Sequence, residues 1–314
     1  MQDISRLTSI IRDFINSRRK QHILIQVRHD WNRLTSSLDV IGDTEMAFDA
    51  YIEHLNDPAT YGELYILLYG LMQALFIQQD AVKNTMESLG LEYISHPILD
   101  DIREARNDST GHPTKRRSGK NQTSIFISRA TMSRSGFMLM TTYSDRNPTF
   151  RHVNVVKLIN DQRDILSTFL QQVIEKLRKE EMDHRAEFKD EKLENIFPQT
   201  LGYFYEKIAE SIDGGMSPAF GATMLGNITD MIQEFKNALD KRGLLQAHNM
   251  DDLDIIEYPI AELRKYFETP TESKLNDKDA NIFLAFIRSQ TDSLITFARE
   301  IDEDYSESVE NPTA

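Results

Sequence analysis

The chain has 314 residues, of which 40% are hydrophobic and 27% charged, and its net charge is −14. These values are typical of a globular protein with one large domain or two smaller ones. The sequence contains no cysteine, which excludes disulfides and thiolate metal sites. The acidic total argues against a general nucleic-acid binder. The N-terminal segment lacks the apolar core of a signal peptide, and the longest apolar run, 64–77, is too short for a membrane span. These features predict a cytoplasmic protein without membrane contact.

The first hundred residues are predicted to be helical because apolar positions recur every three or four residues. The predicted helices cover 3–18, 21–40, 44–55, 60–88 and 96–106. In the last of these, Pro97 suits the first turn, where its missing N–H has no role. The residues after 106 are turn formers, which predicts that this helix ends at Arg106.

The helix 60–88 is the most apolar segment of the chain, and its wide apolar face predicts a central helix packed on several sides. That face comprises Ile66, Leu67, Leu71, Leu75 and Phe76. Gln78, Gln79 and Asp80 are polar positions on the same helix. They form either its exposed stripe, which is the interpretation we favour, or part of the lining of a cleft.

The pattern changes at 123–156, where "TSIFISRA" alternates, "GFMLMTTY" is strand-like, and the turn residues "TMSRSG" lie between them. This predicts a β-hairpin, and "FRHVNVV" offers a third strand. Helical spacing returns at about 155–185 and is followed by a stretch that is charged nearly all round, 178–192, which marks the best domain boundary. Further helices are predicted near 193–212, 218–243, 252–268 and 277–302.

The fold prediction is therefore an all-α protein in two modules. The first, 1–185, is an antiparallel helical bundle with the β-hairpin insertion near 123–156. The second, 190–304, is an acidic helical module, and 305–314 is a polar tail that we expect to be disordered. Residues 1–160 contain 19 Lys and Arg against 18 Asp and Glu, whereas 161–314 contain 17 against 32. Such asymmetry indicates modules with different partners.

The segment "RNDSTGHP" at 106–113 contains residue types that could cleave RNA without a metal. An arginine presents a fixed fork of donors to phosphate oxygens, and a histidine titrates in the range needed for proton transfer. Arg106 would stabilise the phosphate, His112 would act as acid or base, and Asn107 would hydrogen-bond the phosphate or orient the histidine. The alternative is an ordinary polar loop, because the same residue types are common in turns.

The stretch "RNDSTGH" resembles the signature of the HEPN superfamily. In that signature an Arg and a His are separated by four to six residues, and a polar residue, often Asn, follows the Arg. HEPN domains are small antiparallel helical bundles in which a long apolar helix precedes the motif helix, as 60–88 precedes 96–106 here. Many members are metal-independent endoribonucleases that dimerise, so that two motifs share one cleft. They serve as toxins, antiphage effectors and RNA-processing enzymes.

The resemblance covers roughly 1–180, with its specific residues confined to 106–112. Toxins that pair with a nucleotidyltransferase antitoxin usually carry a tyrosine two positions after the histidine, where this chain has Thr114. That difference puts this particular pairing in doubt. The predicted hairpin is an addition to the plain bundle.

A basic stretch follows the motif, "TKRRSGK", and it would hold the RNA backbone. The expected RNA-binding residues are Lys115, Arg116, Arg117 and Lys120. Arg151 and His152 on the third strand are either surface residues or reach the site. No histidine has a partner at metal-ligand spacing, so the sequence predicts no metal and no cofactor.

The resemblance thus implies a metal-independent endoribonuclease, acting as a toxin or antiphage defence effector, that cleaves RNA by attack of the 2′-hydroxyl. Its expected partners are the RNA substrate, a second copy of the chain in a homodimer, and an antitoxin or regulatory protein. Two other interpretations remain open. One is a catalytically inactive HEPN module that binds RNA, nucleotide or a protein. The other is an unrelated helical scaffold whose Arg and His are loop residues.

Overall fold

The computed structural model describes residues 3–111, 116–118, 121–245 and 247–306. The helices of these parts are α1 (Ile4–Ile15), α2 (Arg18–Ile25), α3 (Arg28–Glu53), α4 (Tyr61–Ser88), α5 (Pro97–Arg106), α6 (Val155–Phe188), α7 (Leu201–Ile212), α8 (Pro218–Lys241), α9 (Ala247–Glu268) and α10 (Asp277–Ser306). The strands are β1 (Arg116–Ser118), β2 (Asn121–Ile127), β3 (Gly136–Tyr143) and β4 (Thr149–Asn154). The prediction of a mostly helical chain with an antiparallel β insertion is confirmed.

The chain divides into two compact units. Of the described residues, the first unit contains those up to Ser17 and Leu24–Arg178, and the second contains Arg18–Ile23 and those from Lys179 onward. The division between Arg178 and Lys179 falls within α6, at the start of the charged stretch 178–192. Helix α10 reaches Ser306, and the rest of the predicted tail, 307–314, lies outside the described residues. None of the described helices combines the length and the apolar content that crossing a membrane requires.

Helix α3 is one continuous helix of 26 residues where the sequence predicted two, 21–40 and 44–55. Thr44 was expected to begin the second helix, but its Oγ1 donates to the carbonyls of Val40 and Ile41 at 2.8 and 2.9 Å. The hydroxyl therefore makes its hydrogen bonds inside the helix and does not cap the start of a second helix. The next residue, Glu45, is buried and faces a partner on α6, which favours an unbroken helix here.

Helix α4 begins at Tyr61 because Thr60 and Glu63 form a capping box. The Glu63 carboxylate accepts from the Thr60 backbone N–H at 2.7 Å, and Thr60 Oγ1 accepts from the Glu63 backbone N–H at 3.3 Å. The buried side of the helix includes Leu68, Leu71 and Leu75, in the core that α1, α3, α5 and α6 share. Ile66, which was expected to be packed, is 74% exposed, so α4 keeps an apolar strip on its outer side.

The four strands form an antiparallel sheet in the order β1-β2-β3-β4. β2 and β3 are the predicted hairpin, and β4 is the third strand that the sequence offered. β1 was missed, because three residues of basic and polar type give no alternating apolar pattern. One face of the sheet packs into the core of the first unit through Ile125, Phe137, Leu139 and Val153.

The core of the second unit depends on a close approach of three helices at Gly221 of α8. A Cβ at this position would lie 2.7 Å from the Cβ of Ser211 on α7 and 2.8 Å from two ring carbons of the buried Phe267 on α9. We expect Gly221→Ala to lower the free energy of unfolding by about 1–3 kcal/mol, because the packed ring has no space to retreat.

The matched control is Gly226→Ala on the same helix, where an added Cβ meets nothing within 4 Å. This change should raise the free energy of unfolding by roughly 0.5–1 kcal/mol, because alanine favours a helix over glycine. Thermal unfolding followed by far-ultraviolet circular dichroism measures both. Equal effects of the two substitutions would contradict the close approach at Gly221.

Candidate active site at the end of α5

The predicted motif starts at the end of α5, where the chain does not break into a loop. The α-helix ends at Arg106 as predicted, but the chain continues as a π-helical turn, Asn107–Gly111, where the sequence predicted a polar turn. Two hydroxyls bond back to backbone carbonyls in this turn. Ser109 Oγ donates to the Ala105 carbonyl at 2.8 Å, and Thr110 Oγ1 donates to the Arg106 carbonyl at 2.9 Å. Single π-helical turns are rare and are frequently found at functional sites.

Arg106 is held by neutral groups. Its Nη2 donates to Gln73 Oε1 at 2.9 Å, and its Nη1 donates to Asn107 Oδ1 at 3.0 Å. Its guanidinium carbon lies 4.7 Å from the ring centroid of Phe76. The Nε atom is buried and has no hydrogen-bond partner in the described part of the chain. The guanidinium is thus fixed in position, and no carboxylate of the described residues pairs with it.

The neighbouring arginines differ in this respect. Arg103, one turn earlier, donates to the carboxylate of Asp80 and, at 2.7 Å, to Gln79 Oε1. Its guanidinium carbon lies 4.5 Å from the same Phe76 ring, so the ring has both arginines within stacking distance. Arg151 of β4 donates to Asp108 Oδ2 at 3.0 Å. Among these three arginines, Arg106 is the one whose charge is available to an anion.

The contact between Arg151 and Asp108 connects the sheet to the π-helical turn. Asp108 is buried, and its neighbour along the chain is Asn107. The sequence left open whether Arg151 and His152 reach the site. Arg151 does contact the turn, whereas His152 pairs with Met138 across the sheet and is exposed. β4 is therefore a part of the site's framework that residue spacing around 106–112 could not reveal.

Of the other predicted site residues, some lie within the described ranges and others do not. His112, Lys115 and Lys120 lie outside the described residues, so the predicted closeness of Arg106 and His112 stays a prediction. Arg116 and Arg117 are on β1, where their backbones pair with Thr123 and Gln122 of β2. The basic stretch thus belongs in part to the same sheet that β4 joins to the motif.

Behind the motif, Gln78 and Gln79 are fully buried, so the interpretation of these residues as an exposed stripe is wrong. Gln79 donates to Gln162 Oε1 at 2.7 Å, Gln162 donates to Gln78 Oε1 at 2.8 Å, and Gln78 donates to Glu45 Oε1 at 2.6 Å. Arg103 contacts one end of this chain through Gln79. We call the chain of Arg103, Gln79, Gln162, Gln78 and Glu45 the glutamine network. It joins α5 to α3, α4 and α6.

The far end of the glutamine network is a buried ion pair. Arg163 Nε donates to Glu45 Oε2 at 2.9 Å, and Arg163 Nη2 donates to Asp49 Oδ1 at 2.6 Å. Burial lowers the pKa of Arg163, but the hydrogen bonds and charges of Asp49 and Glu45 outweigh it, and the net shift is upward from the ordinary value. Arg163 is therefore charged at every accessible pH and compensates the buried Glu45.

Within the described ranges, no group of three or more His, Asp or Glu side chains is arranged so that it could hold a metal ion. Comparison of the chain with models of protein families, with curated proteins and with solved structures gave no match. Membership of the HEPN superfamily therefore stays a prediction.

Proposed function

We propose that the chain is a metal-independent endoribonuclease of the HEPN type that acts as a toxin or antiphage effector. The observation that carries the proposal is the Arg106 guanidinium, which Gln73, Asn107 and Phe76 hold in place without a carboxylate. An arginine of this kind is suited to bind a phosphate, because its charge is available and its orientation is set in advance. The resemblance of 106–112 to the HEPN signature adds the histidine.

In this proposal three residues divide the work. Arg106 binds the scissile phosphate and stabilises the charge that builds on it. His112 transfers a proton, either from the attacking 2′-hydroxyl or to the leaving 5′-oxygen. Asn107 uses its carbonyl oxygen for Arg106, and its NH₂ group has no acceptor among the described residues, so it can donate to a phosphate oxygen. Lys115, Arg116, Arg117 and Lys120 would bind the RNA backbone.

A homodimer is part of the proposal, because one Arg and one His provide few groups to hold a phosphate from two sides. The exposed apolar strip of α4 supports it. Ile66, Tyr69 and Ile77 are exposed on one face of the helix, and Gln73, which contacts Arg106, lies among them. Two copies joined along this strip would bring two Arg106 side chains near each other. An antitoxin or regulatory protein remains a proposed partner.

The test is a cleavage assay with purified protein and total RNA in EDTA. We expect RNA to be cleaved without metal, because the proposed groups supply both the charge and the proton transfer. The products should end in 2′,3′-cyclic phosphate, and DNA, which lacks the attacking hydroxyl, should remain intact. His112→Ala should be inactive, whereas His29→Ala, at a well-exposed histidine, should cleave like the wild type.

Two results would contradict this proposal. Cleavage that strictly requires Mg²⁺ would exclude the mechanism, and equal cleavage by the wild type and His112→Ala would assign the activity to other residues. Binding of RNA by the wild type without any cleavage would instead favour the inactive HEPN module.

A further inference from the structure

The outer face of the sheet carries a row of aromatic and sulfur-containing side chains among polar ones. Phe126 of β2 pairs with Met140 of β3, and Met140 pairs with Phe150 of β4, so the three form a row across the sheet. Paired residues point to the same face, and this face is opposite the buried one, which contains Ile125 and Leu139. Phe126 is 39% exposed and Phe150 is 56% exposed.

The two rings are two strands apart, which places their backbones about 9–10 Å from each other. Each ring can therefore accept a separate flat partner, with the flexible Met140 between them. His152, next but one to Phe150 on β4, is exposed and pairs with Met138, which extends the row along the sheet. Grouped aromatic side chains on an open surface indicate a binding site more often than an accident of composition.

The segment that contains the sheet, 114–154, has a net positive charge, whereas the whole chain is negatively charged. Residues 114–154 contain eight lysines and arginines and a single acid, Asp145, although the whole chain has a net charge of −14. Arg129, two residues after the end of β2, is exposed. Arg146, in the connection from β3 to β4, has its guanidinium carbon 3.8 Å from the ring centroid of Tyr143. The segment that contains the sheet thus has an excess of positive charge.

We propose that the outer face of the sheet binds the unpaired bases of single-stranded RNA, with Phe126 and Phe150 each stacking on one base. Exposed rings on a sheet that belongs to a positively charged segment match the two components of a single strand, its base faces and its phosphates. A double helix would match the cations alone, because its bases are stacked inside. An apolar protein partner would match the rings but not the excess of positive charge.

This inference rests on the proposed function and specifies its substrate. Arg151, which follows Phe150 on β4 and pairs with the buried Leu139, points to the opposite face of the sheet, where it contacts Asp108 of the π-helical turn. RNA held by the two rings would therefore have to pass an edge of the sheet to reach Arg106. The substrate would then be RNA with at least two unpaired nucleotides at some distance from the cleaved bond.

The experiment measures binding apart from cleavage. The probe is a fluorescein-labelled 12-nucleotide RNA that is 2′-O-methylated throughout, which removes the attacking hydroxyl. The variant Phe126→Leu/Phe150→Leu keeps apolar side chains but removes both rings. Its Kd, measured by fluorescence anisotropy, should rise at least about 20-fold, since each stacked base contributes roughly 1–3 kcal/mol. Tyr203→Leu, at an exposed tyrosine of the second unit, should leave Kd unchanged.

A duplex of the same length should bind at least about 10-fold more weakly, because only its phosphates can be contacted. A Phe126→Trp/Phe150→Trp variant guards against misfolding of the leucine variant. It should bind as tightly as the wild type, and its added tryptophan fluorescence should be quenched by the probe. Absence of quenching, equal Kd values for the wild type and the leucine variant, or equal binding of duplex and single strand would each overturn the proposal.

The two proposals fail separately. If the wild type binds the methylated probe and the leucine variant does not, the sheet binds RNA even if no RNA is cleaved. If the wild type cleaves RNA in EDTA and the leucine variant binds and cleaves equally well, the endoribonuclease stands and the sheet has no part in it.

Discussion

Replacement of Arg106 by alanine is expected to lower the rate of RNA cleavage in EDTA by at least about 100-fold, as is typical when a fixed donor to the transition-state charge is removed. The fold should be unaffected, because Arg106 contacts the exposed Gln73 and its own neighbour, Asn107. Arg106→Lys should restore only part of the rate, since a point charge cannot reproduce the planar fork of donors. Initial rates with a fluorogenic RNA measure all three forms.

The matched control for this prediction is Arg12→Ala, which removes an arginine whose partner, Asp39, is exposed. It should cleave RNA at the wild-type rate. Arg106→Ala with a rate within a factor of about two of that control would remove Arg106 from the mechanism.

Mixing inactive Arg106→Ala and His112→Ala chains tests the dimer as well. Partial activity of the mixture is the result expected if two chains share one cleft, and a silent mixture would argue against sharing.

The largest expected effect on stability is that of Arg163→Ala. This substitution leaves the carboxylate of Glu45 buried without its cation, and breaking a buried pair in this way costs about 3–5 kcal/mol. Urea unfolding can be followed through Trp31, the chain's one tryptophan, which lies on α3 in the first unit. The midpoint should fall sharply relative to the wild type.

Arg12→Ala again serves as the control, because the pair of Arg12 and Asp39 is exposed and should contribute less than about 1 kcal/mol. A Glu45→Gln/Arg163→Met double variant, which removes both charges, should recover much of the loss. Equal midpoints for Arg163→Ala and Arg12→Ala would show that Glu45 finds solvent or another cation once Arg163 is gone.

The parts of the fold that could be predicted from the sequence are those set by local chemistry. Pro97 marked the start of α5, and the strand-like composition of 136–143 marked β3. The continuity of α3 could not be predicted, because it depends on Glu45 meeting Arg163, 118 residues later. Burial of Gln79 likewise depends on Gln162, 83 residues away, and a polar residue on a helix otherwise indicates exposure.

The same distinction applies to the site. The pairing of Arg106 with Asn107 is local, and the sequence singled out both residues. Gln73 and Phe76, which hold Arg106, come from another helix and look like ordinary residues of an amphipathic pattern. Asp108 was noted only as a turn former, since its partner Arg151 is 43 residues ahead on a strand. Sequence patterns can therefore suggest which group does the chemistry, but not what holds it.

The hydrogen bonds of the glutamine network all run in one donor-to-acceptor direction, from Arg103 to Glu45. Arg103 can only donate and the carboxylate of Glu45 can only accept, so each glutamine between them must accept on the Arg103 side and donate on the Glu45 side. None of the three amides can be flipped alone without setting two donors or two acceptors against each other. A slide of α4 by one residue would break the whole order at once. We therefore expect the network to select a single alignment of the four helices, and with it a single position for α5.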